Sequence, residues 1–348
     1  MIKAIPLAGR NVRRKESRRS ELAWVISSLV LLMAIGRLDA QEASMLNLTK
    51  TIPLPGVRGR FDHFAIDAKG RRLFVAALGN NTLEAIDTAN GKRLKSITGL
   101  HKPTGVVYLG DLNQIGVANG DDGTFKVFDG VSYALVKTVG SLDDADNVRY
   151  DSKVRLIYVG YSDGALAVID SATMKQIGSI KLAGHPESFQ LEVHGNRIFV
   201  NVPEAKHVAV IDRERKAVTA TWPMTEFKAN FPMALDEENH RLFIGCRHPA
   251  RLVVFDTATG KSVANVAISD DTDDLFYDAK RKCIYVSCGE GSLDVIRRGS
   301  GDAYGPRVVI PTRGGARTSF FSADLDEFYL AVPVRGLQDA EIRVFRGN

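Results

Sequence analysis

Seven short polar stretches carry the residue types best suited to chemistry. They are Arg60-Phe-Asp62-His63, His101-Lys102-Pro103-Thr104, Asp143-Asp144-Ala-Asp146-Asn147, His185-Pro-Glu187-Ser188, Asn230-Phe-Pro-Met, Asp270-Asp271-Thr-Asp273-Asp274, and Arg313 with Arg317 and Thr318. Three chemistries are open to them. Asp62, Asp146, Asn147, Glu187, Asn230, Asp273 and Asp274 could offer the six or more oxygens that a Ca²⁺-like ion takes, with Asp146, Asn147, Glu187, Asp273 and Asp274 as the metal set. His63, His185, Cys246 and Cys288 are ligand types that suit zinc or copper, but no short ligand spacing accompanies them. Acid–base work would use His63 or His185 near Glu187, with Arg60 or Arg317 steadying an anion. The mixture of charge signs suits a polar or zwitterionic ligand. The alternative is a solvated rim in which Asp, Asn and Ser make turn hydrogen bonds.

These stretches act together only if the fold gathers them, and an internal repeat indicates how. A segment of aromatic or aliphatic, then Val or Ile, then a small residue recurs as LFVA (73–76), IGVA (115–118), IYVG (157–160), IFVN (198–201), LFIG (242–245), CIYVS (283–287) and EFYLA (327–331). Its centres, Val75, Val117, Val159, Val200, Ile244, Val286 and Leu330, are spaced by 42, 42, 41, 44, 42 and 44 residues. A second segment such as LEAID, LAVID or LVVFD follows each, then a turn such as Asp256-Thr-Ala-Thr-Gly260. Each unit thus reads as a meander of four short strands. A four-stranded repeat of this length signals a propeller blade. The expected fold is an all-β, seven-bladed β-propeller of four-stranded antiparallel blades, because a ring covers the faces and edges that one blade leaves bare.

The last repeat stops after its third strand, and Leu48–Gly56 resembles a fourth strand. The N-terminal strand should therefore complete the last blade and fasten the ring. The Asp after the third strand in five blades (Asp87, Asp129, Asp170, Asp212 and Asp256) reads as a turn cap. The polar stretches precede the innermost strand of each blade, where a propeller opens its central channel. Unlike residues at equivalent positions on a regular frame suggest a ligand-shaped funnel.

The first 40 residues differ in kind. A basic region precedes an apolar run of 14 residues, Leu22–Ile35, and Leu38-Asp39-Ala40 follows. This reads as a secretory signal, 1–40, with a single domain at 41–348 in the periplasm or outside the cell. The alternative is an uncleaved anchor, which would be the chain's sole link to a membrane. Residues 1–40 hold 8 Lys or Arg and 3 Asp or Glu; taking these from totals of 46 and 41 leaves 38 of each sign. The domain is formally neutral, so bulk charge gives no support to nucleic-acid binding. Cys283 and Cys288 lie five apart on one expected strand and point to opposite faces, which argues against a mutual disulfide. No phosphate loop precedes a helix, and no nucleophile elbow or haem-attachment site is present.

The segments Tyr158-Val-Gly-Tyr161, Phe199-Val-Asn-Val202 and Tyr285-Val-Ser-Cys288, with their VxVID-like strands and TxTGK-like turns, look like YVTN repeats. The chain is similar to the exported YncE-like seven-bladed propellers over roughly residues 45–348, although blade two reads Gly116-Val-Ala-Asn119. That group includes surface-layer-like proteins and suspected DNA binders. The acidic funnel is similar in kind to those of metal-dependent propeller lactonases and streptogramin B lyases, without a blade-by-blade match. The expected protein is a monomer whose funnel binds a small polar molecule, a metal ion or a protein partner's loop. A metal-dependent hydrolase or lyase, and a DNA-binding or cell-surface protein, are the alternatives.

Overall fold

The computed structural model describes residues 45–348. The expected signal segment lies outside the described residues. Leu46–Gly347 forms one compact unit. Its strands make seven four-stranded antiparallel sheets, six of them in simple sequence order. Blade one, for example, comprises Phe64–Asp67, Arg72–Ala77, Thr82–Asp87 and Lys92–Ile97. In blade seven the outermost strand is the N-terminal segment Leu46–Leu54. It pairs with the C-terminal strand Ala340–Gly347, from Leu46 opposite Gly347 to Leu54 opposite Ala340. The ring is fastened as expected: one blade is built from both ends of the described residues.

The innermost strands are Phe64–Asp67, Pro103–Leu109, Val148–Asp151, Phe189–Leu191, Lys228–Asp236, Thr272–Asp278 and Ser319–Ser322. Each lies against the next, and blade seven's lies against blade one's, so the circle closes. The repeat centres set a common register. Val75, Val117, Val159, Val200, Ile244, Val286 and Leu330 pair with Phe64, Val106, Val148, Phe189, Met233, Leu275 and Ser319. These seven inner residues occupy one structural level, and residues at equal offsets from them form rings about the axis.

The core lies between neighbouring blades. Phe74, Leu83 and Ile97 of blade one pack on Val106, Ile115 and Phe128 of blade two, and later pairs repeat the arrangement. Blades six and seven meet through aromatics, with Tyr285 and Phe321 at 5.4 Å and Phe276 and Phe320 at 5.7 Å between ring centres. Burying both sheet faces this way is the reason the repeat needs partners on each side.

Two repeated devices are structural. The turn aspartates cap as expected: Asp87, Asp170 and Asp256 accept backbone N–H bonds from Asn90, Thr173 and Thr259 at 3.0, 2.7 and 2.8 Å. Three residues downstream of the common level, a carboxylate closes the inner strand in five blades and meets an arginine. The pairs are Asp67–Arg72, Asp151–Arg213, Glu192–Arg197, Asp236–Arg298 and Asp278–Arg281. Repetition at one offset marks these pairs as part of the frame on the face away from the funnel.

Candidate functional site

Two residues upstream of the common level the chemistry diverges. The ring there is Asp62, Thr104, Asp146, Glu187, Phe231, Asp273 and Arg317. Thr104, Phe231 and Asp273 stand within inner strands, whereas Asp62, Asp146 and Glu187 lie two residues before theirs and are tied to the blade by backbone N–H bonds to the carbonyls of Ala76, Gly160 and Asn201 at 2.8, 2.9 and 3.0 Å. Asp62, Asp146, Glu187, Phe231 and Asp273 line a small cavity of 60 Å³ with Arg60, His63, Asn147 and Ser188. Four blades thus bring carboxylates to one space. A volume of that size holds about two water molecules.

The polar groups fall into two kinds, those already paired and those left open. Blade six is paired. Arg317 reaches Asp271 at 2.7 Å and Asp273 at 3.0 Å. Arg247 grips Asp273 from the other side at 2.6 Å and lies 4.2 Å from the centre of the Phe231 ring. Arg60 meets Asp62 at 3.0 Å. His63 stands between Asp62 at 3.6 Å and Asp274 at 3.7 Å. His185 donates through Nδ1 to the Ser162 carbonyl at 2.7 Å and turns Nε2 toward Asp146 at 3.9 Å. Glu187 has no ion pair and no side-chain hydrogen bond among the described residues, although it lines the cavity.

Crowded, half-dry carboxylates cannot all ionise at ordinary values. Burial, reinforced by the Asp146 charge, pushes Glu187 up to about 8 against the weaker pull of His185 and His63. Burial also raises Asp62, to about 6, against the pull of His63. Asp273 is raised by burial in spite of Arg317 and Arg247. Burial works against a charged His63, but Asp274, Asp62 and Asp146 outweigh it and push the imidazole up to about 10. Asp146 lifts His185 to about 9. Asp146 itself is lowered, because His185, His63 and Arg60 overcome its burial. At neutral pH both imidazoles are therefore charged, and Glu187 mostly holds a proton.

The structure brings together most of the residues expected at the funnel, and it redistributes the rest. Arg60, Asp62, His63, Asp146, Asn147, Glu187 and Asp273 line the cavity. His185 backs Asp146, and Arg317 backs Asp273. Asn230 does not face the space: it is fully buried and donates to Asn201 Oδ1 at 3.0 Å. A register shift between Asn230 and Met233 carries it into the packing and places Phe231 at the ring instead. Asp274 belongs to the channel beneath, where its Oδ2 accepts the Ser319 N–H at 2.7 Å.

Cys246 and Cys288 lie within the apolar packing between blades and are free thiols. Among the described residues no group of three or more His, Cys, Asp or Glu is arranged to hold a metal ion. Arg149 was not singled out in the sequence, although the common register places it on the channel wall.

No protein-family model and no curated protein matches the chain. Solved structures match the fold. One is the Kuenenia stuttgartiensis hydrazine synthase, 17% identical with a TM-score of 0.70 over 82% of this chain and 99% of that one. Another is a crystal structure of the mitotic checkpoint complex, 15% identical with a TM-score of 0.74 over 99% of this chain and 98% of that one. At such identity the likeness shows the seven-bladed propeller alone.

Proposed function

We propose that this chain is an exported, monomeric binding propeller of the YVTN type, whose funnel receives the cationic group of a small polar ligand. The observation that carries the reading is Glu187. It is a carboxyl without a partner in a cavity lined by three further carboxylates, raised to about 8 by burial and by Asp146. An incoming ammonium group would supply the missing counter-charge, and Glu187 would ionise as it binds. Binding then amounts to exchange of a proton for a cation. The cavity of 60 Å³ admits the charged head only, so the ligand's remainder would lie in the funnel mouth. The repeat and the 1–40 segment support the family and the exported location.

A divalent ion is the other cation that fits this reasoning, through Asp146, Asn147, Glu187, Asp273 and Asp274. Asp273 and Asp274 are the weak members of that set, since each already has partners. A metal-dependent hydrolase or lyase would need such an ion. A protein partner's loop would enter by a Lys side chain, again as an ammonium.

Isothermal titration calorimetry near pH 7 separates these possibilities. A panel of small primary amines and amino-acid zwitterions is run beside Ca²⁺ and Zn²⁺ alone. The expected result is saturable amine binding whose enthalpy changes with buffer ionisation, and loss of that proton release in Glu187→Gln. Binding of Ca²⁺ alone would move the reading to the metal set. Binding with no proton released would remove Glu187 from the mechanism.

A further inference from the structure

One residue downstream of the common level the ring reads Arg149 in blade three, and Ala65, Val107, Gln190, Ala234, Phe276 and Phe320 in the others. All seven line a second cavity of 770 Å³ that occupies the channel beneath the funnel. His63 is common to the walls of both spaces. The cavity's other walls include Ile66, Tyr108, Tyr150, Leu235 and Leu275. Its size falls within the range of small-molecule pockets, and its apolar walls share the lining with polar groups that include Asp111, Asp274, Gln190 and Arg149.

Arg149 is the only charge in that ring, and the frame gives it little to do. Its Nη1 donates to the Val148 carbonyl at 2.8 Å and approaches Asn147 Oδ1 at 3.5 Å. Its guanidinium lies 5.3 Å from the centre of the Phe189 ring. It makes no ion pair among the described residues, whereas the arginines at the far end of the inner strands each have a carboxylate. A guanidinium carries five N–H donors in a fork suited to a carboxylate or phosphate, so most of its capacity is unused. Burial pulls it down to about 10, because Asp274 and Asp146 compensate only in part. Asp274 shares the cavity, but the Ser319 N–H and the facing His63 already occupy its two oxygens.

We propose that the central channel binds a molecule with one anionic group on an apolar body, the anion on Arg149 and the body against Phe276, Phe320 and Leu235. This site is separate in position and in charge preference from the cation site above it. Glu187 contributes nothing to it.

The probe is 8-anilinonaphthalene-1-sulfonate, with neutral N-phenyl-1-naphthylamine as the uncharged control and decanoate and phenyl phosphate as competitors, on the purified full chain. The expected result is one bound sulfonate per chain. Arg149→Met should weaken it by about ten- to a hundredfold, since hydrogen bonds to a charged group are being lost. Arg149→Lys should recover part of the affinity, and the neutral control should change little. Leu235→Trp, which adds bulk to the channel wall in blade five, should block both dyes. Circular dichroism establishes that each variant is folded, and Leu235→Trp decides if Arg149→Met is not. Several bound dyes per chain, equal affinity for the neutral control, or binding that survives Leu235→Trp would each overturn the proposal. Displacement by decanoate assigns the anion as a carboxylate, and displacement by phenyl phosphate as a phosphate.

Discussion

The raised acid at Glu187 makes a stability prediction that needs no ligand. Between its ordinary value of 4.5 and about 8, the folded chain keeps a proton that the unfolded chain has released. The unfolded state then binds fewer protons, so stability falls as pH rises through that window and is unaffected by this group below it. Each pH step costs about 1.4 kcal/mol, which gives a ceiling of about 5 kcal/mol for full ionisation. Water drawn toward the half-buried carboxylate offsets part of that and leaves roughly 2–3 kcal/mol. Glu187→Gln keeps the shape and removes the titration. Urea unfolding followed by circular dichroism should show the two proteins alike near pH 4.5, with the glutamine variant increasingly more stable toward pH 8. Groups that titrate in both proteins and do not face Glu187 cancel in this difference. A pH-independent difference, or a glutamine variant that is the less stable at pH 8, would refute the claim that Glu187 is held by no ion pair or hydrogen bond.

Other consequences concern the frame. Asp236, at the end of the inner strand of blade five, and Arg298 of blade six form a 2.6 Å pair, both almost wholly buried. Asp236→Ala should cost about 3–5 kcal/mol in urea unfolding, because it strands a buried guanidinium. Gly116 stands where other blades carry an aromatic, and a Cβ there would strike the Phe125 ring and the Val107 side chain. Gly116→Ala should therefore destabilise by about 1–3 kcal/mol, and Phe125→Leu in the same chain should recover part of the loss. Burial raises the Cys246 thiol to about 12 and lifts Cys283 and Cys288 as well. All three free thiols should resist a disulfide reagent in the folded protein and react on unfolding, and rapid reaction at neutral pH in the native state would contradict their placement.

The fold was legible in one dimension because a blade is a local object. The spacing of Val75, Val117, Val159 and their counterparts determined the number of sheets. The truncated last repeat, together with Leu48–Gly56, determined how the ring closes. The five turn aspartates were legible for the same reason, since a cap acts across two or three residues of its own loop. The divergent positions could be located as well, and Asp62, Asp146, Glu187 and Asp273 do meet.

Only the tertiary structure decided what each of those groups faces. Asn230 and Asp274 stood in the right stretches, but a register shift buries the first, and the Ser319 N–H draws the second toward the channel. Asp273 is spent on Arg247 and Arg317, whereas Glu187, equivalent in sequence position, has no such partner. Arg149 carried no local signal, because a lone arginine on a strand acquires meaning only when six other blades place small, apolar or neutral residues around the same ring. Repeats encode interactions across a few residues and between adjacent strands. Ionisation and ligand preference arise from charges that approach one another across the axis, and no spacing along the chain records those distances.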